Sequence, residues 1–236
     1  MKSNDDNRNI IAIDGVAASG KSTTAKSLAK SLGLRYLDTG AIYRAAALSV
    51  LRGKVSPDNE EAVIETITTA NIRVNCSEDK MEIYLNDVEI SEEIRTPEVA
   101  ALTSRISAIS EVREAMVKLQ REAVNDGGFV VEGRDIGTVV FPDAEIKFFL
   151  TATVAERAKR RFAELNERHD GSSIEEIERD ISERDLRDST RSESPLRKAD
   201  DAIEVDTTEM TIDEQVKHLT SMIEAEMRKE SKVYVG

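Results

Sequence analysis

The sequence predicts an α/β fold in which a parallel core sheet is flanked by helices. Short apolar runs, such as residues 10–13 and 128–131, alternate with longer segments of helical periodicity. This alternation is typical of parallel sheets that carry helices on both faces. A glycine-rich turn and a helical segment follow the first run directly, as in a strand–loop–helix unit.

The first half of the chain adds a second, smaller sheet to this pattern. Gly33 would end the first helix, since glycine often follows a helix, and Pro57 would open the third. Short alternating runs joined at Asn86-Asp87 then predict an inserted antiparallel sheet. The expected strands are residues 10–13, 34–37, 72–75, 81–85 and 88–90, and the expected helices are 24–32, 41–48 and 60–68.

The second half returns to the alternation of strands and helices. Its arginine-rich part surrounds the polar turn 169–173, and we interpret it as a helix–turn–helix flap rather than core. The expected helices are one region from about 97 to 124, two that flank the turn, and an amphipathic helix from 212 to about 227; the expected strands are 128–131, 147–150 and 202–205.

Composition and charge exclude several classes of function. The net charge of −13, from 33 basic and 46 acidic residues, argues against general affinity for nucleic acid or anionic membranes. No stretch is apolar enough to span a bilayer, and residues 1–9 form a polar tail that we expect to be disordered. Cys76 is the only cysteine, which favours a cytoplasmic location, and the isolated His169 and His218 disfavour a zinc site. We expect a monomer.

Residues 15–22 carry the most informative motif. Gly15 and Gly20 are separated by four residues and followed by Lys21 and Ser22. The backbone N–H groups of such a loop, together with the start of the following helix, hold the phosphates of a nucleoside triphosphate. Lys21 would neutralise phosphate charge. The sequence therefore predicts a triphosphate site here.

Ser22 would offer its hydroxyl to Mg²⁺. A separate acidic ligand is harder to identify. Asp14 or Glu132 lies near enough in the expected fold to assist, and Mg²⁺ often keeps several waters and uses substrate phosphates as ligands. Asp14 is equally suited to be a buried partner of Lys21 or of an arginine.

Two further polar loops follow strands of the expected parallel sheet, at residues 38–44 and 132–138. Ligands bind at the carboxyl ends of such strands, so the three loops converge on one edge. This arrangement suits phosphoryl transfer from a nucleoside triphosphate to a second anionic substrate held by Arg44 and Arg134. The chain lacks the Asn-Lys-x-Asp motif of GTPases and the Leu-Ser-Gly-Gly motif of transport ATPases, which disfavours both classes.

The arginine-rich segment has two interpretations. Guanidinium groups suit paired contacts to phosphate oxygens, so the cluster is a candidate phosphate clamp. Glutamates interleave at helical spacings, however, and some of these arginines would then form only surface pairs on a helix. The basic residues concerned are Arg157, Lys159, Arg160, Arg161, Arg168, Arg179, Arg184, Arg187, Arg191 and Arg197.

From about residue 10 to the terminal helix, the chain resembles the bacterial cytidylate kinases. The matching motifs are residues 15–22, 37–44, 93–100, 112–115, 133–144 and 183–191 with Pro195-Leu196. The resemblance implies a P-loop kinase with an inserted small antiparallel sheet and a helical lid, which phosphorylates CMP and dCMP with ATP and Mg²⁺. It also implies one domain over 10–230, with a nucleotide-acceptor subdomain at about 39–111, a lid at about 157–174 and a tail at 231–236. Val16 and Ala18 stand where the family usually has Pro and Gly.

The resemblance also implies roles for individual residues. Catalytic roles fall to Lys21, Arg134, Arg184 and Arg191. ATP would be bound by Gly15, Val16, Ala17, Ala18, Ser19, Gly20, Lys21, Ser22 and Thr23, with flap contacts from Arg160 and Arg161. CMP would be bound by Thr39, Tyr43, Arg44, Ser104, Arg113, Arg134, Asp135, Arg184, Asp188 and Arg191.

Asp135 is central to the expected acceptor selectivity. Cytosine presents an exocyclic amino donor that a carboxylate can accept, whereas uracil has a carbonyl at that position and would be repelled. Alternatively, Asp135 forms a salt bridge to Arg134 or Arg113 that only shapes the loop, and both roles are compatible. A kinase for UMP or another small acceptor, and an ATP-binding regulatory module without turnover, remain as alternative functions.

Overall fold

The computed structural model describes residues 9–77, 80–124, 127–166 and 172–233. The predicted tail at residues 1–8, the turn residues 167–171 with Arg168 and His169, and residues 234–236 lie outside these ranges. In the described part of the chain, the strands are β1 (Ile10–Gly15), β2 (Arg35–Asp38), β3 (Ile72–Cys76), β4 (Met81–Leu85), β5 (Val88–Glu89), β6 (Phe129–Glu132), β7 (Ile146–Thr151) and β8 (Ile203–Asp206).

The helices surround these strands as the sequence predicts. They are α1 (Lys21–Leu32), α2 (Thr39–Arg52), α3 (Glu60–Thr69), α4 (Pro97–Ile106), α5 (Ser110–Ala123), α6 (Val154–Asn166), α7 (Ile174–Thr190) and α8 (Ile212–Val233). A 3₁₀ turn at Glu93–Arg95 and a single π-helical turn at Ile136–Val140 complete the regular structure of the described residues. None of the described helices combines the length and the apolar character that crossing a membrane requires.

The main sheet is parallel throughout and has the strand order β2-β6-β1-β7-β8. The central position of β1 places the loop after it between the loops that follow β6 and β7. A separate antiparallel sheet has the order β3-β4-β5. The predicted α/β fold with an inserted antiparallel sheet is therefore confirmed.

Alternation along β1 divides the core into two layers. Ile10 and Ala12 pack in the cluster that includes α2, α4 and α5, whereas Ile11 and Ile13 pack in the cluster that includes α1 and α8. Because β1 is buried on both faces, side chains pack against both sides of the strand that leads into the loop at residues 15–20. The helices α6 and α7 form a small third cluster of their own through Ala158, Ile177 and Ile181, as expected of a flap outside the core.

The structure refines the extent of two predicted helical segments. The single helical region from 97 to 124 is two helices, because the chain leaves helical geometry between Ile106 and Ser110, where the freed carbonyl of Ser107 accepts a hydrogen bond from Arg113 (3.2 Å). The terminal helix continues to Val233 rather than ending near residue 227, and it packs with α1 through Leu219 and Ile223.

Candidate active site

Three loops meet at the carboxyl edge of the main sheet. The loop of residues 15–20 follows β1, the start of α2 follows β2, and residues 133–135 follow β6, whose neighbours are β1 and β2. The predicted convergence of these loops is therefore present. The carboxyl edge of a parallel sheet is also where ligands of such folds bind.

The loop after β1 is shaped by its glycines. Gly15 has φ +148°, and a Cβ atom there would lie 2.1 Å from the carbonyl oxygen of Leu150. Gly20 (φ 87°) precedes α1 without any side-chain cap, so the first N–H groups of that helix are left for a ligand. Ala18 has φ 57°, a left-handed conformation that costs a non-glycine residue about 1–2 kcal/mol. The loop therefore forms an anion cradle despite alanine at this position.

Lys21 curls over this cradle. Its Nζ donates to the carbonyl of Val16 (2.8 Å), which also accepts from the Ser19 hydroxyl (3.1 Å). Burial, and then repulsion from Arg134, lowers the pKa of Lys21 to about 7. Partial desolvation and the same arginine lower the pKa of Arg184 to about 10, although 46% of that side chain is exposed. Since these cations disfavour one another, an anion placed among them would be strongly stabilised.

The two acidic residues near the cradle have different partners. Asp14 is buried and accepts the backbone N–H groups of Ile136 and Gly137, each at 2.8 Å. Among the described residues it forms no hydrogen bond with Lys21 or with an arginine, although Lys21 lies near enough to act on its pKa. Burial nevertheless raises its pKa to about 6.

Glu132, at the end of β6, is the carboxylate beside Ser22. It accepts the Tyr36 hydroxyl (2.5 Å). Burial and the neighbouring Asp38 raise the pKa of Glu132, while Lys21 and the Ser22 hydroxyl act against that rise. A hydroxyl and a carboxylate side by side offer the oxygen ligands that Mg²⁺ prefers. Within the described residues, no group of three or more His, Cys, Asp or Glu side chains gathers to bind a metal.

The loop after β2 presents Arg44. Asp38 caps α2 by accepting the N–H of Ala41 (3.0 Å) and forms an ion pair with Arg44 (2.6 Å). Gly40 allows this approach, because a Cβ there would lie 3.0 Å from Asp38 Oδ1 and 3.1 Å from an Arg44 nitrogen. Thr39 is buried and donates its hydroxyl to the Glu132 carbonyl (2.7 Å), so it joins two strand ends.

Asp135 forms a buried ion pair with Arg113. The salt-bridge alternative from the sequence therefore holds, with Arg113 rather than Arg134 as the partner. The guanidinium of Arg113 also lies 5.6 Å from the centre of the Tyr43 ring, and burial raises the pKa of Tyr43 to about 12.

Several buried polar atoms around this ion pair have no protein partner among the described residues. They are Arg113 Nε, the Thr138 hydroxyl and one terminal nitrogen of Arg191. The Tyr43 hydroxyl and the Gln120 side chain, by contrast, lie within hydrogen-bonding reach of each other. Buried polar groups of folded proteins are nearly always hydrogen-bonded. The unpartnered atoms could therefore pair with a polar ligand that reaches the Arg113–Asp135 pair. Ser104 on α4 is half-buried.

The arginines from α7 and from the loop after β6 gather around one carboxylate. Arg134 Nε donates to Asp188 (3.0 Å), and Arg184 lies 4.0 Å from the same side chain. Burial alone would raise the pKa of Asp188, but Arg134 and Arg184 outweigh it and hold that pKa below its usual value. Arg191 donates to the Ser194 carbonyl (2.8 Å) through Nε. One of its terminal nitrogens has no protein partner among the described residues.

The first arginine of α6 is structural. Arg157 is buried and donates to the carbonyls of Ala17 (3.0 Å) and Ala152 (2.9 Å), and it forms an ion pair with Asp185 (2.6 Å). Its inclusion in a phosphate clamp is therefore wrong, since all three guanidinium nitrogens are occupied by protein groups.

The next two arginines of α6 differ in their surroundings. Arg160 donates one hydrogen bond to the carbonyl of Ser19 in the cradle (3.4 Å) and another to the carbonyl of Thr207 (2.6 Å). Arg161 is exposed and pairs with Glu164 (3.0 Å), as the surface-pair alternative expects. A role for either arginine in binding ATP stays a prediction.

Two residues that support the site were not predicted. Thr207 follows β8 and donates its hydroxyl to the carbonyls of Ser19 (3.1 Å) and Thr151 (2.9 Å). It could have been predicted as a site residue, because it directly follows a strand of the parallel sheet. Gln215 of α8 accepts the Thr24 hydroxyl (2.6 Å), and nothing in the local sequence indicates that contact.

Comparison with known proteins agrees with this geometry. The sequence profile of the cytidylate kinase family matches residues 11–225. The cytidylate kinase of Lactobacillus johnsonii is 46% identical over 218 residues, which cover 92% of this chain and 95% of the relative. The cytidylate kinase of Bacillus cereus is 47% identical over 222 residues, which cover 92% of this chain and 97% of the relative. The similarity therefore includes all three loops and the helices α6 and α7.

Proposed function

This chain belongs to the cytidylate kinase family, and we propose that it transfers the γ-phosphoryl group of ATP in line to CMP and dCMP, yielding CDP and dCDP for pyrimidine nucleotide metabolism. The observation that carries the choice of acceptor is the buried Arg113–Asp135 ion pair. Arg191, which has an unpartnered terminal nitrogen, lies near this pair, and Asp135 is close enough to Asp14, directly before the triphosphate cradle, to affect its pKa.

On the donor side, the cradle would hold the β- and γ-phosphates of ATP. The uncapped N–H groups of α1 and the ammonium of Lys21 supply positive charge there. Arg160 lies where the cradle meets the loop after β8, so we place it near the nucleotide. Arg161 would approach ATP only if α6 moved.

Ser22 and Glu132 would hold Mg²⁺ together with substrate phosphates. Their adjacent oxygen atoms fit this ion, and the metal would supply charge neutralisation on the triphosphate. Tyr36 keeps the Glu132 carboxylate in place through its short hydrogen bond.

On the acceptor side, we assign the phosphate of CMP to Arg44, Arg134 and Arg191. The ribose hydroxyls would contact Arg184 and Asp188. The cytosine amino group would donate to Asp135, while Arg113 and Ser104 satisfy the ring acceptors. Two observations support this assignment. Arg44 and Arg191 each have a guanidinium nitrogen without a protein partner among the described residues, and the Asp135 carboxylate is oriented by its ion pair with Arg113.

The chemistry needs no general base, because the attacking oxygen of the CMP phosphate is already anionic at neutral pH. Catalysis would come from alignment of the two phosphates and from positive charge on the migrating phosphoryl group. Lys21, Arg134, Arg184 and Arg191 supply that charge. The helices α6 and α7 would exclude water, which competes as a nucleophile.

A coupled assay for ADP formation, with ATP, Mg²⁺ and a panel of CMP, dCMP, UMP and AMP, tests the proposal. We expect CMP and dCMP to be the preferred acceptors, because a uracil carbonyl would face the Asp135 carboxylate. Equal kcat/KM for CMP and AMP would refute the cytosine assignment. Preference for UMP would favour the alternative kinase.

A further inference from the structure

Asp14 joins the donor loop to the acceptor loop. It precedes Gly15 directly, so its main chain leads into the phosphate cradle. Its carboxylate binds the N–H groups of Ile136 and Gly137, which are 122 and 123 residues further along the chain. The two hydrogen bonds, at 2.8 Å each, are fully buried. One residue therefore fixes how the two loops lie with respect to each other.

These two N–H groups open the π-helical turn Ile136–Val140, whose preceding residue is Asp135. Aspartate in the N-cap position normally accepts the N–H of the second or third residue of the helix, which here would be Gly137 or Thr138. Asp135 makes no capping hydrogen bond here, because its carboxylate is paired with Arg113 instead. Asp14 supplies the missing acceptor from another strand.

The fit around this contact is close. A Cβ atom on Gly137 would lie 3.0 Å from Lys147 Cδ and 3.5 Å from Asp14 Oδ2. The stem of Lys147 thus packs against the turn while its Nζ is held by Asp201 (2.6 Å) and the Pro142 carbonyl (2.5 Å). The turn has little freedom to shift if the Asp14 contact is kept, and nothing else in the described residues caps Ile136 and Gly137.

We propose that Asp14 is a positioning residue for acceptor selection: it holds the Ile136–Val140 turn in place and so keeps the preceding Asp135 carboxylate directed at Arg113 and the acceptor base. The inference rests on the proposed function, since it takes the Arg113–Asp135 pair as the group that distinguishes cytosine from uracil. Without the Asp14 carboxylate, the turn would lose its only cap among the described residues and would shift, and Asp135 would shift with it.

The test is Asp14→Asn, assayed with CMP and with UMP. Asparagine offers one acceptor and places an amide donor against a backbone donor, so the turn is pushed away from residue 14 and Asp135 moves with it. We expect the ratio of kcat/KM for CMP to that for UMP to fall by about tenfold, the equivalent of roughly one hydrogen bond to a charged group. The KM for ATP should stay within about twofold, because the cradle itself is intact.

Asn59→Ala is the matched control. Asn59 caps α3 by accepting the N–H of Ala62 (3.2 Å), and α3 carries none of the site residues. This variant should lose stability without any change in the CMP to UMP ratio. A merely structural role for Asp14 would give the same result as the control.

A wild-type CMP to UMP ratio in folded Asp14→Asn would overturn the inference. If this variant does not fold, as judged by circular dichroism and thermal melting, Asp14→Ser fits the same space and is read by the same ratio. Failure of the proposed function is recognised separately, because the unsubstituted enzyme would then not prefer CMP.

Discussion

Lys21→Ala is expected to lower kcat by about 10³-fold while the protein stays folded, because removal of one preorganised charge from the transferring group costs a factor of this order. Lys21 is buried, and its charged form is already disfavoured by burial and by Arg134. Replacing Lys21 by alanine therefore removes charge repulsion with Arg134 from the ligand-free protein, so the fold should be kept. Steady-state kinetics with CMP and ATP measure kcat, and thermal melting measures stability.

Lys30→Ala is the control for this experiment. Lys30 lies in the last turn of the same helix and is exposed, so its removal should leave kcat near the wild-type value. A Lys21→Ala enzyme with near-normal turnover would refute the role of Lys21 in the transfer.

Asp135→Ala is expected to cost about 3–5 kcal/mol of unfolding free energy, because it leaves the guanidinium of Arg113 buried without a counter-charge. It should also lower kcat/KM for CMP by about 10²-fold, since the site loses its acceptor for the amino group. Urea unfolding and steady-state kinetics measure the two losses. Glu224→Ala, which breaks the exposed ion pair with Arg228, should cost less than about 1 kcal/mol.

A double variant separates stability from recognition. Replacing the pair by Arg113→Met and Asp135→Leu removes both charges, and apolar replacements of similar volume commonly restore stability. We expect the double variant to regain most of the lost unfolding free energy and to remain defective with CMP. Recovery of CMP turnover together with stability would mean that Asp135 only shapes the loop.

The fold and the donor loop were predictable because their information is local. A strand, a glycine turn and a helix start occupy consecutive residues, and the cradle at 15–20 needs no distant partner to be identified. Likewise, the antiparallel sheet follows from short alternating runs and the turn at Asn86-Asp87. These features depend on backbone preferences that act over a few residues.

The pairing of charges was not predictable in the same way. Arg134 adjoins Asp135 in sequence but pairs with Asp188, while Asp135 pairs with Arg113. Each of these cations and anions has several candidates of opposite charge nearby, and only the folded arrangement of α5, α7 and the loop after β6 decides between them. The cap that Asp14 provides is similarly non-local.

Local breaks in helices also escaped prediction. The interruption between α4 and α5 contains Ser107, Ala108 and Ile109, with no proline or glycine to mark it. At this break, the Ser107 carbonyl accepts a hydrogen bond from the Arg113 side chain. The tertiary contact thus compensates for a break that sequence patterns do not show.

A crystal structure of the enzyme with CMP, Mg²⁺ and a non-hydrolysable ATP analogue tests most directly the claim that one site holds both nucleotides for transfer. The predicted result places the triphosphate in the cradle of residues 15–22, the CMP phosphate against Arg44 and Arg134, and the cytosine amino group at about 3 Å from Asp135. A cytosine bound away from Asp135 and Arg113, or a CMP phosphate that does not face the cradle, would contradict it.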